Sequence, residues 1–269
     1  MNICFIGGGN MATALIGGLL KRDFTPAQLR VVEIDTGNRA KLQQAFGVQV
    51  TAELAAGVAG SDIIVLAVKP QQLRDVAIQL GSLLSGQLLI SIAAGIRAAD
   101  LARWLDTQNV VRAMPNTPAL IQSGMTGLYA MPAVSAEQRE QSEGILAAVG
   151  DTLWVQTEDM LDAVTAVSGS GPAYVYYFIE AVQQAARELG FSDEDARRLS
   201  LTTFLGASKL AFGSEEDVSV LRARVTSKNG TTERALLSMA SNQVAGHIVQ
   251  AAKAAADRAR EMGDELGSQ

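Results

Sequence analysis

Short apolar runs alternate with longer mixed stretches through the first half of the chain. The runs Asn2–Ile6, Arg30–Ile34, Val48–Val50, Ile63–Val68, Leu88–Ile92 and Val110–Met114 predict strands. Strands at that rhythm, with helices between them, imply right-handed βαβ units and a parallel sheet. Gly124–Ala130 and Leu153–Gln156 are expected to extend the sheet, with a helix over Ala136–Val149 between them. After Gln156 the pattern changes. Glu158–Gly190, Asp193–Phe212, Thr231–Met239 and Asn242–Leu266 read as helices, and no strand is predicted among them. Ser192-x-x-Asp195 reads as a capping box opening the second helix. The last few residues are expected to fray. The chain thus divides into a doubly wound, mostly parallel α/β domain over residues 1–156 and an all-α domain over 157–269.

Within the first predicted helix after the boundary, Tyr174, Val175, Tyr176, Tyr177, Phe178, Ile179, Ala181 and Val182 cover nearly every face. A helix that is apolar all round is buried on all sides. A helical domain of about 110 residues can hardly enclose it alone, given how little surface small domains bury. Burial in a dimer interface is the preferred reading, and a central helix in a single-subunit bundle is the alternative.

The chain opens MNICFIGGGNMA, an apolar run leading into a glycine turn and a helical pattern. The spacing is G-x-G-x-x-A. Gly7 allows a tight turn, Gly9 removes a Cβ so that a pyrophosphate can approach, and Ala12 lets the helix pack close to the strand. Free N–H groups at the helix start then face the phosphates, where the helix dipole favours negative charge. The α/β half is therefore read as a Rossmann-type dinucleotide-binding domain; the alternative is a glycine turn that binds nothing. Val68-Lys69-Pro70 and Ala94-Gly95 end two further strands and are expected to line the same crevice.

Composition narrows the partners. Of 269 residues, 48% are hydrophobic, 19% charged and only 5% aromatic, and the net charge is −6. With no Lys/Arg block, neither nucleic acid nor an anionic membrane is an expected partner. No apolar run reaches the roughly 18 residues of a membrane span. Met1 runs at once into a core strand, so no signal peptide is expected. The single cysteine, Cys4, lies inside the first strand and reads as a small core residue, in keeping with a reducing, cytoplasmic location.

The catalytic inventory is short. His247 is the one histidine and sits in a predicted helix, and no Cys/His metal cluster, G-x-S-x-G elbow or P-loop is present. Reduction of a ketone needs a group to carry a proton, help worth roughly 10²- to 10⁴-fold. A protonated imine is already electrophilic and can be reduced mainly by alignment with a hydride donor. The inventory tilts toward C=N, although Lys69 or a tyrosine could serve as an acid. Three polar segments remain: Met114–Ala119, Ser168–Ala173 and Val225–Thr232. Each places hydroxyl or amide side chains and backbone N–H groups beside a helix start, a setting that can hold a carboxylate or merely cap a helix.

Taken together, F-I-G-G-G-N-M-A, A-V-K-P at 67–70, I-A-A-G at 92–95, R-A-M-P-N-T-P-A at 112–119, V-S-G-S-G-P-A-Y at 167–174 and V-T-S-K-N-G-T-T at 225–232 resemble pyrroline-5-carboxylate reductases, in the family's order across almost the whole chain. The resemblance implies NAD(P)H-dependent reduction of 1-pyrroline-5-carboxylate to L-proline. It also implies a helical substrate-binding and dimerisation domain whose dimers can assemble further into decamers. It places Ile6, Gly7, Gly9, Asn10 and Met11 at the pyrophosphate turn, and Ala67, Val68, Lys69 and Pro70 at a cofactor loop. Ala93, Ala94 and Gly95 match a second such loop, Asp35 a ribose neighbour, and Asn116 and Glu215 groups near the nicotinamide. Ser227 and Thr232 match the catalytic positions, and Asn229, Gly230, Thr231 and Thr232 the substrate loop. No metal is implied. The family loop usually reads S-P-G-G-(A/T)-T. Here Lys228 replaces a proline, and Asn229 stands for a glycine at a position where Asn tolerates left-handed backbone. Arg39 follows Asp35 closely and could accommodate a 2′-phosphate, so use of both NADPH and NADH is expected. The competing readings are a reductase of another small imine or keto acid and a non-catalytic dinucleotide-sensing subunit.

Overall fold

In β1 (Ile3–Ile6), alternate side chains feed two different cores. Ile3 and Phe5 pack with residues on one face of the sheet, Cys4 and Ile6 with residues on the other. That two-residue alternation is the pleat of a strand covered on both sides. Burial pushes the Cys4 thiol up to about 12, which makes it a core group and not a nucleophile at neutral pH.

A computed structural model describes residues 1–267; Ser268 and Gln269, to which the fraying expectation partly applies, lie outside the described residues. After β1 come α1 (Asn10–Leu20), β2 (Leu29–Val32), α2 (Thr36–Phe46), β3 (Gln49–Thr51), α3 (Leu54–Val58), β4 (Ile63–Leu66), α4 (Pro70–Gly81), β5 (Leu88–Ser91), α5 (Ala98–Leu105) and β6 (Val110–Met114). Then follow β7 (Gly124–Ala130), α6 (Ala136–Leu146) and β8 (Gly150–Trp154). The sheet order is β3-β2-β1-β4-β5-β6-β7-β8. Every pairing is parallel except β6 with β7. The first core packs residues of α1, α2 and α6 on one face; the second packs α3, α4 and α5 on the other. Fully burying one such Leu or Ile contributes about 1.5–3 kcal/mol.

Strand order reverses beside β1: β2 and β3 run off to one side, β4 starts the other. The crevice beyond the carboxyl ends of β1 and β4 is the topological switch point, where doubly wound sheets bind ligands. The β8 strand begins earlier than its apolar residues suggest. It pairs with β7 alone at the edge, so the polar residues Asp151 and Thr152 belong to it.

The second half is helical: α7 (Met160–Val164), α8 (Gly171–Glu188), α9 (Asp193–Phe212), α10 (Val218–Arg224), α11 (Thr231–Ser241) and α12 (Val244–Gly267). By compactness the chain forms one unit of residues 1–170 with 254–269, and another of 171–253. Two local patterns differ from expectation. The predicted helix over 158–190 is broken: a π turn spans Thr165–Gly169, closed by the Ser170 N–H donating to the Thr165 carbonyl at 2.7 Å. Pro172 explains the break, since it has no N–H for the Ser168 carbonyl four residues back. The short helix α10, capped by Asp217 accepting the Ser219 N–H at 2.8 Å, falls where none was predicted. At the start of α9, the Ser192 hydroxyl caps the Asp195 N–H at 3.1 Å.

In unit 171–253 large apolar side chains face outward. Tyr176 is 63% and Tyr177 71% exposed on α8, which buries none of its residues, and Leu205, Leu210 and Phe212 are exposed on α9. A patch of this kind marks an interaction surface.

Candidate functional site

The glycine turn is built by contacts the sequence already encodes. Gly7 sits at φ +100°, and its N–H donates to the Val32 carbonyl at 2.8 Å, tying the turn to the end of β2. A Cβ on Gly7 would lie 2.8 Å from the Ala67 carbonyl oxygen, so both the backbone angle and the loop after β4 require glycine. Ala67 in turn donates its N–H to the Ile6 carbonyl at 2.8 Å. Gly9 is different. A Cβ there would meet nothing within 4 Å, so the protein itself does not demand glycine. It leaves an open cradle above the start of α1, which has no side-chain cap. The first helical hydrogen bond is Thr13 N–H to Gly9 O at 2.9 Å, which leaves the N–H groups of Asn10, Met11 and Ala12 for a ligand.

A cleft of about 930 Å³ opens from this turn. Ile6, Gly7, Gly9, Asp35, Ala67, Val68 and Lys69 all line it. Asn10 and Met11 form the first turn of α1, and Pro70 opens α4 behind Lys69. A 930 Å³ cleft with one lysine and a free helix N-terminus fits the size and phosphate charge of a dinucleotide. Ala52, Glu53, Leu54 and Val76 also line the cleft and were not singled out from sequence. They come from the β3–α3 turn and the face of α4, and only the pairing of β3 at the sheet edge brings the former in.

Glu33 is half-buried at the rim. Burial would raise its carboxyl. The N–H of Asp35, the side chain of Asn38 and the N–H groups of Gly8 and Ile34 outweigh that and hold it below the ordinary value. Asp35 is exposed and caps α2, accepting the Asn38 N–H at 2.6 Å. Arg39 donates to the carbonyls of Glu33 and Ile34, at 2.6 and 2.9 Å, and to the Thr36 hydroxyl at 3.0 Å.

Ala93, Ala94 and Gly95 follow β5, and Asn116 follows β6, at the same carboxyl edge of the sheet but outside the cleft lining. The Asn116 amide donates to the Ser168 carbonyl at 3.0 Å, filling the place left by Pro172. Its oxygen accepts the Met125 N–H at 2.9 Å. It therefore joins the end of β6, the start of β7 and the π turn. Beneath these, Arg112 is buried and paired with Glu158 at 2.9 Å, with Asp162 at 3.7 Å; burial raises the Asp162 carboxyl despite Arg112 and Arg97.

Residues Ser227–Thr232 lead into α11, within the other unit. Asn229 has φ +61°, the left-handed backbone expected of it, and its N–H donates to Glu233 Oε2 at 2.7 Å. Gly230 is the residue before α11, and its N–H donates to the Ser227 carbonyl at 3.0 Å. A Cβ on Gly230 would overlap Ser227 Oγ, so the hydroxyl occupies the space over the helix start. Arg234 N–H to Gly230 O at 3.2 Å is the first bond of α11, leaving the N–H groups of Thr231, Thr232 and Glu233 available beside the hydroxyls of Ser227 and Thr232. Such a pocket can hold a carboxylate without a full positive charge. Glu215 and Lys228 are exposed. His247 is exposed on α12, and among the described residues no group of three or more His, Cys, Asp or Glu could hold a metal ion. No helix among them is long and apolar enough to cross a membrane.

Residues 158–262 match the family described as pyrroline-5-carboxylate reductase dimerisation, and residues 2–95 the family described as NADP oxidoreductase coenzyme F420-dependent. The chain is 47% identical to a pyrroline-5-carboxylate reductase of Pseudomonas aeruginosa, over 98% of each chain. A solved pyrroline-5-carboxylate reductase from Coxiella burnetii superposes with a TM-score of 0.93 at 39% identity, covering 97% of this chain and 98% of that one. One from Plasmodium falciparum, solved with NADP bound, gives a TM-score of 0.87 at 29% identity over 98% of each.

Proposed function

The chain belongs to the pyrroline-5-carboxylate reductase family, and from that premise we propose that it reduces 1-pyrroline-5-carboxylate to L-proline, the last step of proline biosynthesis. Bound in the cleft, NADPH or NADH supplies the hydride that the imine carbon receives. Gly7 and Gly9 let the pyrophosphate reach the N–H groups of α1, and Lys69 adds positive charge. Ile6, Asp35, Ala67 and Val68 shape the cleft around it, with Pro70 opening α4 behind Lys69; Ala93, Ala94, Gly95 and Asn116 are assigned to the nicotinamide end, and Glu215 takes its assignment from the family resemblance alone. Ser227, with the turn at Asn229 and Gly230 and the free N–H groups of Thr231 and Thr232, holds the substrate carboxylate. The Thr232 hydroxyl bonds the ring nitrogen as it passes from imine to amine. No strong acid is needed, because a protonated imine already carries the proton.

The observation that carries this reading is the loop before α11. Its left-handed Asn229, its Ser227 hydroxyl over Gly230 and its free N–H groups make a carboxylate seat, which a subunit that only senses dinucleotide does not need. The division at residues 156 and 157 separates cofactor-binding and substrate-binding functions in this account. The exposed apolar faces of α8 and α9 support a homodimer formed by the helical part; further assembly of dimers to a decamer rests on the family resemblance alone. A cytoplasmic location belongs to the same proposal, and the buried free thiol of Cys4 suits a reducing compartment. NADPH oxidation in the presence of 1-pyrroline-5-carboxylate tests the reading; proline as product is expected.

A further inference from the structure

Two acids, Glu33 and Asp35, stand after β2, where an acid in doubly wound folds meets the ribose 2′-hydroxyl. They are not equivalent. Glu33 Oε2 accepts the Gly8 N–H and the Asn38 side-chain amide, both at 3.0 Å, and Oε1 accepts the Asp35 N–H at 2.9 Å. A carboxylate offers about four acceptor directions, and these three donors, with the Ile34 N–H beside them, fill most of that capacity. Asn38 also donates to the Gly8 carbonyl at 2.9 Å. Both backbone groups of Gly8, the middle of the phosphate turn, are thus held, the N–H by Glu33 in the turn after β2 and the carbonyl by Asn38 in the first turn of α2. Asp35 lies exposed on the cleft wall.

We propose that Glu33 is a positioning residue for the dinucleotide and not a ribose ligand: its carboxylate locks the phosphate turn to the β2–α2 turn, and discrimination between a 2′-hydroxyl and a 2′-phosphate falls to Asp35. This rests on the reading of the cleft as the dinucleotide site. The donors that keep the Glu33 carboxyl below its ordinary value keep the lock charged through the neutral range. Because the lock acts on the phosphate turn, and pyrophosphate is common to both cofactors, its loss weakens NADPH and NADH alike.

Titration calorimetry of full-length protein with NADPH and with NADH, and no second substrate, separates the roles. Glu33→Gln turns one acceptor into a donor facing N–H groups. Both Kd values should rise about tenfold, the scale of one hydrogen bond to a charged group, while their ratio stays within about threefold of wild type. Asp35→Asn should shift the ratio toward NADPH by more than that. Should Glu33→Gln fail to fold, Asn38→Ala removes two bonds of the lock and leaves the acid; it too should weaken both cofactors in equal proportion. A ratio shifted toward NADPH in Glu33→Gln overturns the proposal, as do unchanged Kd values in either lock variant. Wild-type protein that binds neither cofactor overturns the dinucleotide reading itself, so the two failures are distinct.

Discussion

Replacing Gly230 with alanine should impair turnover through Ser227 and leave the fold largely intact. Gly230 has φ −82° and ψ 174°, a backbone that alanine adopts without strain. The added Cβ would overlap Ser227 Oγ, and it would lie 3.0 Å from the Ser227 carbonyl oxygen. The hydroxyl must leave its place over the start of α11. If it holds the substrate carboxylate, a hydrogen bond to a charged group is lost, about 1.5–3 kcal/mol. That converts to roughly a 10- to 150-fold fall in kcat/KM. Alanine for glycine at a helix N-cap costs roughly 0.5–1 kcal/mol of stability, or a few degrees of melting temperature in a chain of this size. Steady-state kinetics on Gly230→Ala, Ser227→Ala and the double variant, beside melting curves, read both quantities. Because both single changes act on one hydroxyl, the double variant should be little worse than Ser227→Ala alone. Losses that multiply in the double variant, or wild-type kcat/KM in Gly230→Ala, would refute the reasoning.

Gly7→Ala and Gly9→Ala should separate fold from binding. The first clashes with Ala67 at φ +100° and should lower the melting temperature. The second meets open space and should lose no more than the few degrees that alanine costs at a helix N-cap, yet bind NADPH at least tenfold more weakly; normal NADPH affinity in Gly9→Ala would count against the pyrophosphate cradle. Thr232→Ala should lower kcat/KM by about 3- to 150-fold, whereas Ser227→Ala should raise KM more than it lowers kcat, since a carboxylate contact is made equally before and during reaction; lowered melting with unchanged kinetics in both would reduce the loop to a helix cap. Full-length protein at micromolar concentration should scatter light as a dimer or larger, and a monomer would leave the exposed Tyr176 and Tyr177 unexplained.

Much of this architecture was legible because it rests on local patterns. The apolar runs name the strands of the parallel sheet, since residues such as Ile3 to Ile6 are buried on both faces. The glycine spacing names the tight turn after β1, because Gly7 needs a positive φ that few other residues adopt. Asn229 takes the left-handed backbone that its place in the loop predicts, for the same reason. What depends on distant pairing was not legible. The bonds of Glu33 to Gly8 cross 25 residues, and those of Asn116 to Ser168 cross 52. Pro172 sat inside a predicted helix, and only the structure shows the π turn that relieves it. The β3–α3 residues in the cleft wall carry no signal of their own. They are there because β3 pairs with β2.

On the proposed function, the cleft beside β1 and the loop before α11 serve reduction of one cyclic imine. The most direct measurement is NADPH oxidation by the purified protein with 1-pyrroline-5-carboxylate, run beside a panel of other cyclic imines and 2-keto acids. The account predicts stoichiometric formation of proline and a kcat/KM for 1-pyrroline-5-carboxylate at least a hundredfold above every other compound, about 2.7 kcal/mol of discrimination. Faster turnover of another imine or a keto acid, or NADPH binding with no turnover of any of them, would contradict it.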